Sequence, residues 1–208
     1  MNKLKYISLL VIVLFIASCS NSITDIDNYL KYLSDKENGL VIEKATGGIL
    51  MRVKYLPTDY LVFNDLKNNE NNTLTLKDSI KQSYQNSMTF MLTIGPDRNE
   101  SFDITKVGVK NYEEFAQRIE EMNFNMTQYV TLKINEKEYT PALTQMESVN
   151  GLAQERNILF VFNALDEQGK EILKNDAQFV YNDELFYTGI NKFKFKMDKI
   201  NNVPEFKF

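Results

Sequence analysis

Carboxylates are the residues dense enough in this sequence to suggest acid–base or metal chemistry. Glu113-Glu114 and Glu120-Glu121 stand seven residues apart, so on a helix they share one side. Such a pairing suits a cation site or a general acid/base pair. The opposite side, with Tyr112, Phe115, Ala116, Ile119 and Met122, reads as an apolar stripe, so a solvated outer face is the expected role. Asp97-Arg98-Asn99-Glu100 and Asn182-Asp183-Glu184 also gather oxygen ligands. Neither has the D-x-[DN]-x-[DN]-G spacing of a calcium loop, and both are expected as turns. The 208 residues hold no His, no Trp and one Cys. Those counts exclude His-based triads, His metal ligands, disulfides, and Cys-rich zinc or iron–sulfur sites. Gly47-Gly48 and the isolated Gly95, Gly108 and Gly151 fit no phosphate-binding loop, and no G-x-S-x-G elbow occurs. No catalytic residue, metal ligand or cofactor is assigned. A hydrolase run by two carboxylates about 5–9 Å apart in a cleft stays as the alternative, with a sugar groove lined by tyrosines such as Tyr181 and Tyr187 beside it.

The single cysteine, Cys19, has a context of its own. Met1 to Lys5 is short and basic, and Ile7 to Ile16 is apolar except for Ser8. Ten residues cannot cross about 30 Å of hydrocarbon at about 1.5 Å each, but they fit the apolar core of a secretory signal. Ile16-Ala17-Ser18-Cys19 follows and resembles the lipobox of bacterial lipoproteins, which are cut before the Cys and acylated on it. The resemblance implies a signal peptide over 1–18, a lipid-anchored tether over 19–24 and one globular domain over 25–208. More than one acyl chain on Cys19 would hold the domain on a membrane without a spanning helix. Loss of Lys3 and Lys5 lowers the 24 basic residues to 22 against 28 acidic ones, a formal charge of −6. That balance argues against nucleic acid or anionic lipid head groups as the main partner.

These residues must be positioned by elements that the sequence also suggests. A helix over about Thr24 to Lys36 is capped by Thr24 or Asp25 and stopped by Asn38-Gly39. Strands over Leu40 to Lys44 and Ile49 to Leu56 flank a hairpin turn at Gly47-Gly48. Pro57 opens a short helix to Lys67, and Thr75 with Asp78 resembles a capping box for another that carries Leu76, Ile80 and Tyr84. Further strands are expected at Phe90 to Ile94, Tyr129 to Ile134, Tyr139 to Met146, Ile158 to Phe162, Gln178 to Tyr181 and Ile190 to Met197. The helix with the glutamate pairs covers Tyr112 to Met122, and a short helical piece is expected over Glu167 to Leu173. Ile158 to Phe162 is a continuous apolar run, expected to be buried on both faces. From Lys192 to Lys196 lysine and phenylalanine alternate, which sends Phe193 and Phe195 to a core and the lysines to water. The sum is a single α+β domain: a mainly antiparallel or mixed sheet of about seven or eight strands, with three or four helices on one side.

Three stretches carry a wider resemblance. They are Asn38-Gly39-Leu40 leading to Val53-Lys54-Tyr55-Leu56-Pro57 with Asp59-Tyr60, then Phe179 to Asp183, then Gly189 to Phe195. With the lipobox in front, the chain is similar to uncharacterised lipoproteins of Bacteroidetes. The resemblance implies a place in the cell envelope and carries over no residue role. Many surface-exported lipoproteins of that group have acidic residues just after the lipidated cysteine. Ser20 to Thr24 has none, which implies the periplasm-facing leaflet of the outer membrane. Asp78-Ser79-Ile80 resembles the short O-glycosylation acceptor of such envelope proteins, although it falls in a predicted helix. The expected function is a lipid-anchored, non-catalytic accessory or binding component with an envelope protein as its possible partner. A carboxylate-based hydrolase or glycan-binding lipoprotein is the alternative.

Overall fold

The computed structural model describes residues 22–67, 74–98, 100–148, 153–165, 169 and 175–208. Cys19 and the signal segment lie outside the described residues, as does the helical piece expected over Glu167 to Leu173 apart from Gly169. No helix among the described residues is long and apolar enough to cross a membrane.

The chain begins with β1 (Ser22–Ile23), α1 (Ile26–Ser34) and a 3-10 turn (Lys36–Asn38). The Asp25 carboxylate accepts the Asn28 amide at 2.8 Å and caps α1. Gly39, at φ 72°, ends the 3-10 turn. β2 (Val41–Thr46) and β3 (Ile49–Leu56) follow. Gly47 and Gly48 at φ 61° and 79° make the two-residue turn between them, which needs positive φ at both positions. Next come α2 (Thr58–Lys67), α3 (Leu74–Tyr84), β4 (Ser87–Pro96), a 3-10 turn (Ile104–Lys106) and α4 (Tyr112–Phe124). α3 starts at Leu74, so Thr75 lies inside its first turn and forms no capping box with Asp78. The remainder is a 3-10 turn (Met126–Gln128), β5 (Val130–Ile134), β6 (Lys137–Tyr139), β7 (Leu143–Met146), β8 (Arg156–Asn163), β9 (Ala177–Asp183), β10 (Gly189–Phe195), α5 (Met197–Asn201) and β11 (Glu205–Phe206).

These elements form one α+β domain with eleven strands and five α-helices among the described residues. Two antiparallel sheets hold nine of the strands, in the orders β2-β3-β4-β8-β7 and β10-β9-β5-β6. They pack face to face. Phe90 and Phe160 of the first sheet meet Phe179 of the second at 5.7 and 5.4 Å between ring centroids, and Phe90 meets Phe195 at 5.1 Å. Each sheet therefore covers the other's apolar face, and the helices pack elsewhere, α4 against β7 and α2 against β11. This differs from a single sheet with helices stacked on one side. The pivot is Pro141: the strand expected from Tyr139 to Met146 breaks around it into β6 and β7, which belong to different sheets. Proline has no amide to donate to a ladder at that point.

Three further readings change. Along β8, Ile158, Phe160 and Phe162 are fully buried while Leu159 and Val161 are half-buried, so one face of the run enters the core. Ser22–Ile23, inside the expected tether 19–24, forms β1 and pairs in parallel with β11. Met197 starts α5 rather than ending the last strand, its amide bound at 3.1 Å by the Asp176 carboxylate. β10 behaves as its alternation requires. Phe193 and Phe195 are 0 % exposed, and Lys192 and Lys194 face water on an edge strand, where charge discourages pairing with another chain.

Several tyrosines are packed deep enough to link stability to alkaline pH. Burial pushes the Tyr55 phenol up to about 12 and raises those of Tyr29 and Tyr181 well above the ordinary value, Asp59 and Asp183 respectively adding to the effect. The neutral phenol is the form the fold prefers, and these folded values lie above the unfolded value of about 10. Their contribution is complete below about pH 10 and is lost as pH rises through 12. Absorbance at 295 nm should show that Tyr29, Tyr55 and Tyr181 ionise only together with loss of circular dichroism. Ionisation of every tyrosine near pH 10 in a still-native protein would contradict this burial.

Candidate functional site

A cleft of about 600 Å³ opens between α4 and the loop joining β9 to β10. Asn111 caps α4 by accepting the Glu114 amide at 2.9 Å, and the Glu114 carboxylate reaches back to the Lys110 amide at 2.9 Å. This fixes the start of the helix and its rotation. Glu114, Arg118 and Glu121, spaced at four and three residues, then line one wall.

Arg118 joins the two walls. Its guanidinium donates to the Val107 carbonyl and, at 3.0 Å, to the Leu185 carbonyl, and lies 5.0 Å from the Phe186 ring centroid. Burial pushes its pKa below the ordinary guanidinium value, opposed by the charges and phenols around it. Glu121 closes the far end, accepting from Asn125, from Gln128 and, at 3.0 Å, from the Tyr129 hydroxyl. Burial first, and then this bond to Glu121, push the Tyr129 phenol up to about 12.

The other wall is organised by Asp183, which is 3 % exposed. Its Oδ1 accepts from the Tyr181 hydroxyl at 2.8 Å and from the Leu185 and Phe186 amides at 3.1 and 2.9 Å. Its Oδ2 accepts the Thr188 amide at 2.9 Å and the Thr188 hydroxyl. Asn191 donates in turn to Thr188 Oγ1 at 2.9 Å. A buried carboxylate that accepts this many bonds rigidifies the loop around it. Within that loop Tyr187 takes φ 58°, which is costly for a residue with a Cβ, and its side chain is 87 % exposed at the cleft rim.

The sequence candidates are placed as follows. Glu113 and Glu120 point to water while Glu114 and Glu121 are half-buried in the cleft, so the two pairs do not gather into one cluster. The apolar stripe is also narrower than expected: Phe115, Ile119 and Met122 are covered, whereas Tyr112 and Ala116 are exposed. Asp97 makes a turn, its carboxylate holding the Arg98 amide at 2.7 Å. Asn182-Asp183 is not a surface turn: β9 runs through it, and Asp183 is interior. Tyr181 is fully buried and has no face to offer a sugar. Asp78 and Ser79 are exposed on α3. Among the described residues, no group of three or more acidic, His or Cys side chains is placed to hold a metal ion. The sequence does not single out Arg118, and it offers Asp183 only as part of the Asn182-Asp183-Glu184 turn. The one basic residue among the helix's four glutamates was the available signal for Arg118. For Asp183 it was the Asp–Thr spacing typical of side-chain-stabilised turns.

A second polar surface crosses the outer face of the five-stranded sheet around a depression of about 430 Å³. Glu43 accepts from Arg52 at 2.7 Å and from Lys36, and Thr93 donates to Asn157 at 2.8 Å, which donates to Glu147 at 2.9 Å. Burial opposes ionisation of Glu43, but the bonds from Lys36 and Arg52 outweigh it and hold its carboxyl below the ordinary value. The row is saturated by its own members.

No family model matches this chain, and no curated protein matches it. Among solved structures, the chain is similar to a protein from Burkholderia pseudomallei described as novel and of unknown function. Identity is 11 %, with a TM-score of 0.38, covering 91 % of this chain and 98 % of that one.

Proposed function

We propose that this protein is a lipid-anchored, non-catalytic component of the cell envelope that offers the α4 cleft as a binding surface. Support for the anchor comes from the basic start, the apolar run and Ile16-Ala17-Ser18-Cys19. Support for binding rather than catalysis comes from one observation: the carboxylates and the guanidinium of the cleft are already committed within the fold. Glu114 holds the Lys110 amide, Glu121 the Tyr129 hydroxyl, Glu184 the Asn182 amide group at 3.0 Å, and Arg118 two carbonyls. An acid–base pair needs a carboxyl free to exchange a proton with substrate. These carboxylates instead shape the walls.

The test of the anchor is metabolic labelling with palmitate. Cys19→Ala is expected to abolish incorporation and to release the domain from membranes or leave it as unprocessed precursor. Incorporation that survives the substitution would refute the anchor.

Glycan recognition is a second reading, favoured by Tyr187, an exposed ring beside hydrogen-bonding side chains at the cleft rim. Titrating the protein with soluble peptidoglycan fragments should move the amide resonances of Leu185 to Thr188, and Tyr187→Ala should abolish the shifts. Unmoved resonances at millimolar fragment would leave a protein partner as the occupant.

A further inference from the structure

We infer that the end of the domain carrying β1, β11 and α3 rests on a bilayer surface, with Leu74 and Phe208 entering the headgroup region and Lys77 and Lys207 facing lipid phosphates. The inference rests on acylation of Cys19, and it adds which face the anchor presents. Only Ser20 and Asn21 separate Cys19 from β1. Three residue steps reach at most about 11 Å, whereas a domain of this size is roughly 40 Å across. The acyl chains therefore keep the β1 end at the membrane, and the far end cannot be turned toward it.

That end has the composition an interface would use. β1 pairs in parallel with β11, Ser22 beside Glu205, and the Lys207 amide donates to the Ile23 carbonyl at 2.9 Å. The last residues therefore run past the end of β1 opposite the one the tether enters, within about 10 Å of Ser22. Phe206 is buried against Tyr29 and Phe63, with ring centroids 5.0 and 5.8 Å apart. Phe208 meets Phe206 edge to face at 4.9 Å and stays 47 % exposed. The Lys77 ammonium sits 4.2 Å from the Phe208 ring centroid. One turn earlier on α3, Leu74 is 81 % exposed. Of the neighbouring acidic groups, Asp59 is paired with Lys81 at 2.9 Å and Glu205 lies 4.0 Å from the same ammonium, while Asp78 stays exposed beside Lys77. Exposed apolar tips flanked by lysines suit a surface of acyl chains under phosphates. Two side chains bury a few hundred Å² at most, far below the roughly 1,200 Å² of a stable protein interface. Such a patch works only where a tether already holds it at the surface, and there it sets orientation.

The experiment uses the matured, acylated protein in vesicles of phosphatidylethanolamine and phosphatidylglycerol. With Cys19 acylated, Leu74→Cys supplies the only thiol for an environment-sensitive fluorophore. Ala45→Cys, exposed beside the Gly47-Gly48 turn at the opposite end of β3 from α2, is the reference. Lipids brominated near the top of the acyl chain are expected to quench the Leu74 probe about twofold or more and the Ala45 probe hardly at all. Addition of Lys77→Glu should reduce that quenching. Acylated protein that floats with the vesicles while both probes stay unquenched would overturn the inference and leave the anchor intact. Protein without an acyl mass shift that fails to float would remove the anchor and the inference together. A Leu74 probe shielded without vesicles, in proportion to protein concentration, would assign the patch to a second copy and overturn the inference.

Discussion

Phe179→Ala is expected to lower the free energy of unfolding by about 3–5 kcal/mol, with Phe193→Ala and Phe195→Ala in the same range. All three side chains are 0 % exposed. The Phe179 ring meets Phe90, Phe160, Phe162 and Phe193 at 5.7, 5.4, 6.3 and 6.3 Å between centroids. It therefore fills the space between both sheets, and neither sheet can close the cavity without shifting a whole row of rings. Domains of this kind are stable by about 5–15 kcal/mol, so the loss is a large fraction of the total. The matched control lies on the same strand as Phe193. Changing Lys192, Lys194 and Lys196 together to Gln should leave stability within roughly 1 kcal/mol, because the Lys194–Asp176 pair at 3.2 Å is largely solvated. Urea denaturation followed by circular dichroism separates the two sets. A midpoint unmoved by Phe193→Ala would remove β10 from the core.

Asp183→Ala should cost several kcal/mol, at about 1–3 kcal/mol for each buried donor left unpaired, and more of it should be local than for the phenylalanines. The substitution strips an acceptor from the Tyr181 hydroxyl, the amides of Leu185, Phe186 and Thr188, and the Thr188 hydroxyl. Buried donors left without a partner carry their full desolvation cost. Asp183→Asn keeps the shape but turns an amide group toward donors on one side, so it should cost less than Ala and more than nothing. Hydrogen exchange at Leu185, Phe186 and Thr188 is expected to accelerate ahead of the sheet amides, and protease should cut near Tyr187. Equal acceleration everywhere would mean that Asp183 supports the core rather than the cleft wall.

Much of the fold was legible along the chain because local rules set it. Asp25 caps α1, Gly47-Gly48 turns the first hairpin, and the alternation of lysine with phenylalanine puts Phe193 and Phe195 inside. The cleft was not legible. Glu113, Glu114, Glu120 and Glu121 look alike in sequence, and only the rotation of α4 against β7 and the Ile104–Lys106 turn separates a cleft pair from a solvated pair. Arg118 lies far along the chain from Leu185, whose carbonyl it binds. No local pattern encodes such a pairing.

The sequence by itself determined most of the elements between α1 and β10, the one-domain α+β class and the absence of imidazole, since these follow from composition, periodicity and turn chemistry. Tertiary structure alone decided that the strands divide between two facing sheets, with Pro141 at one of the three crossings, that Asp183 is interior and that Ser22–Ile23 is held by Glu205–Phe206. A period of two says that a strand has an inner face. It does not say which distant face covers it, because that choice depends on burying complementary surfaces from segments far apart in the chain.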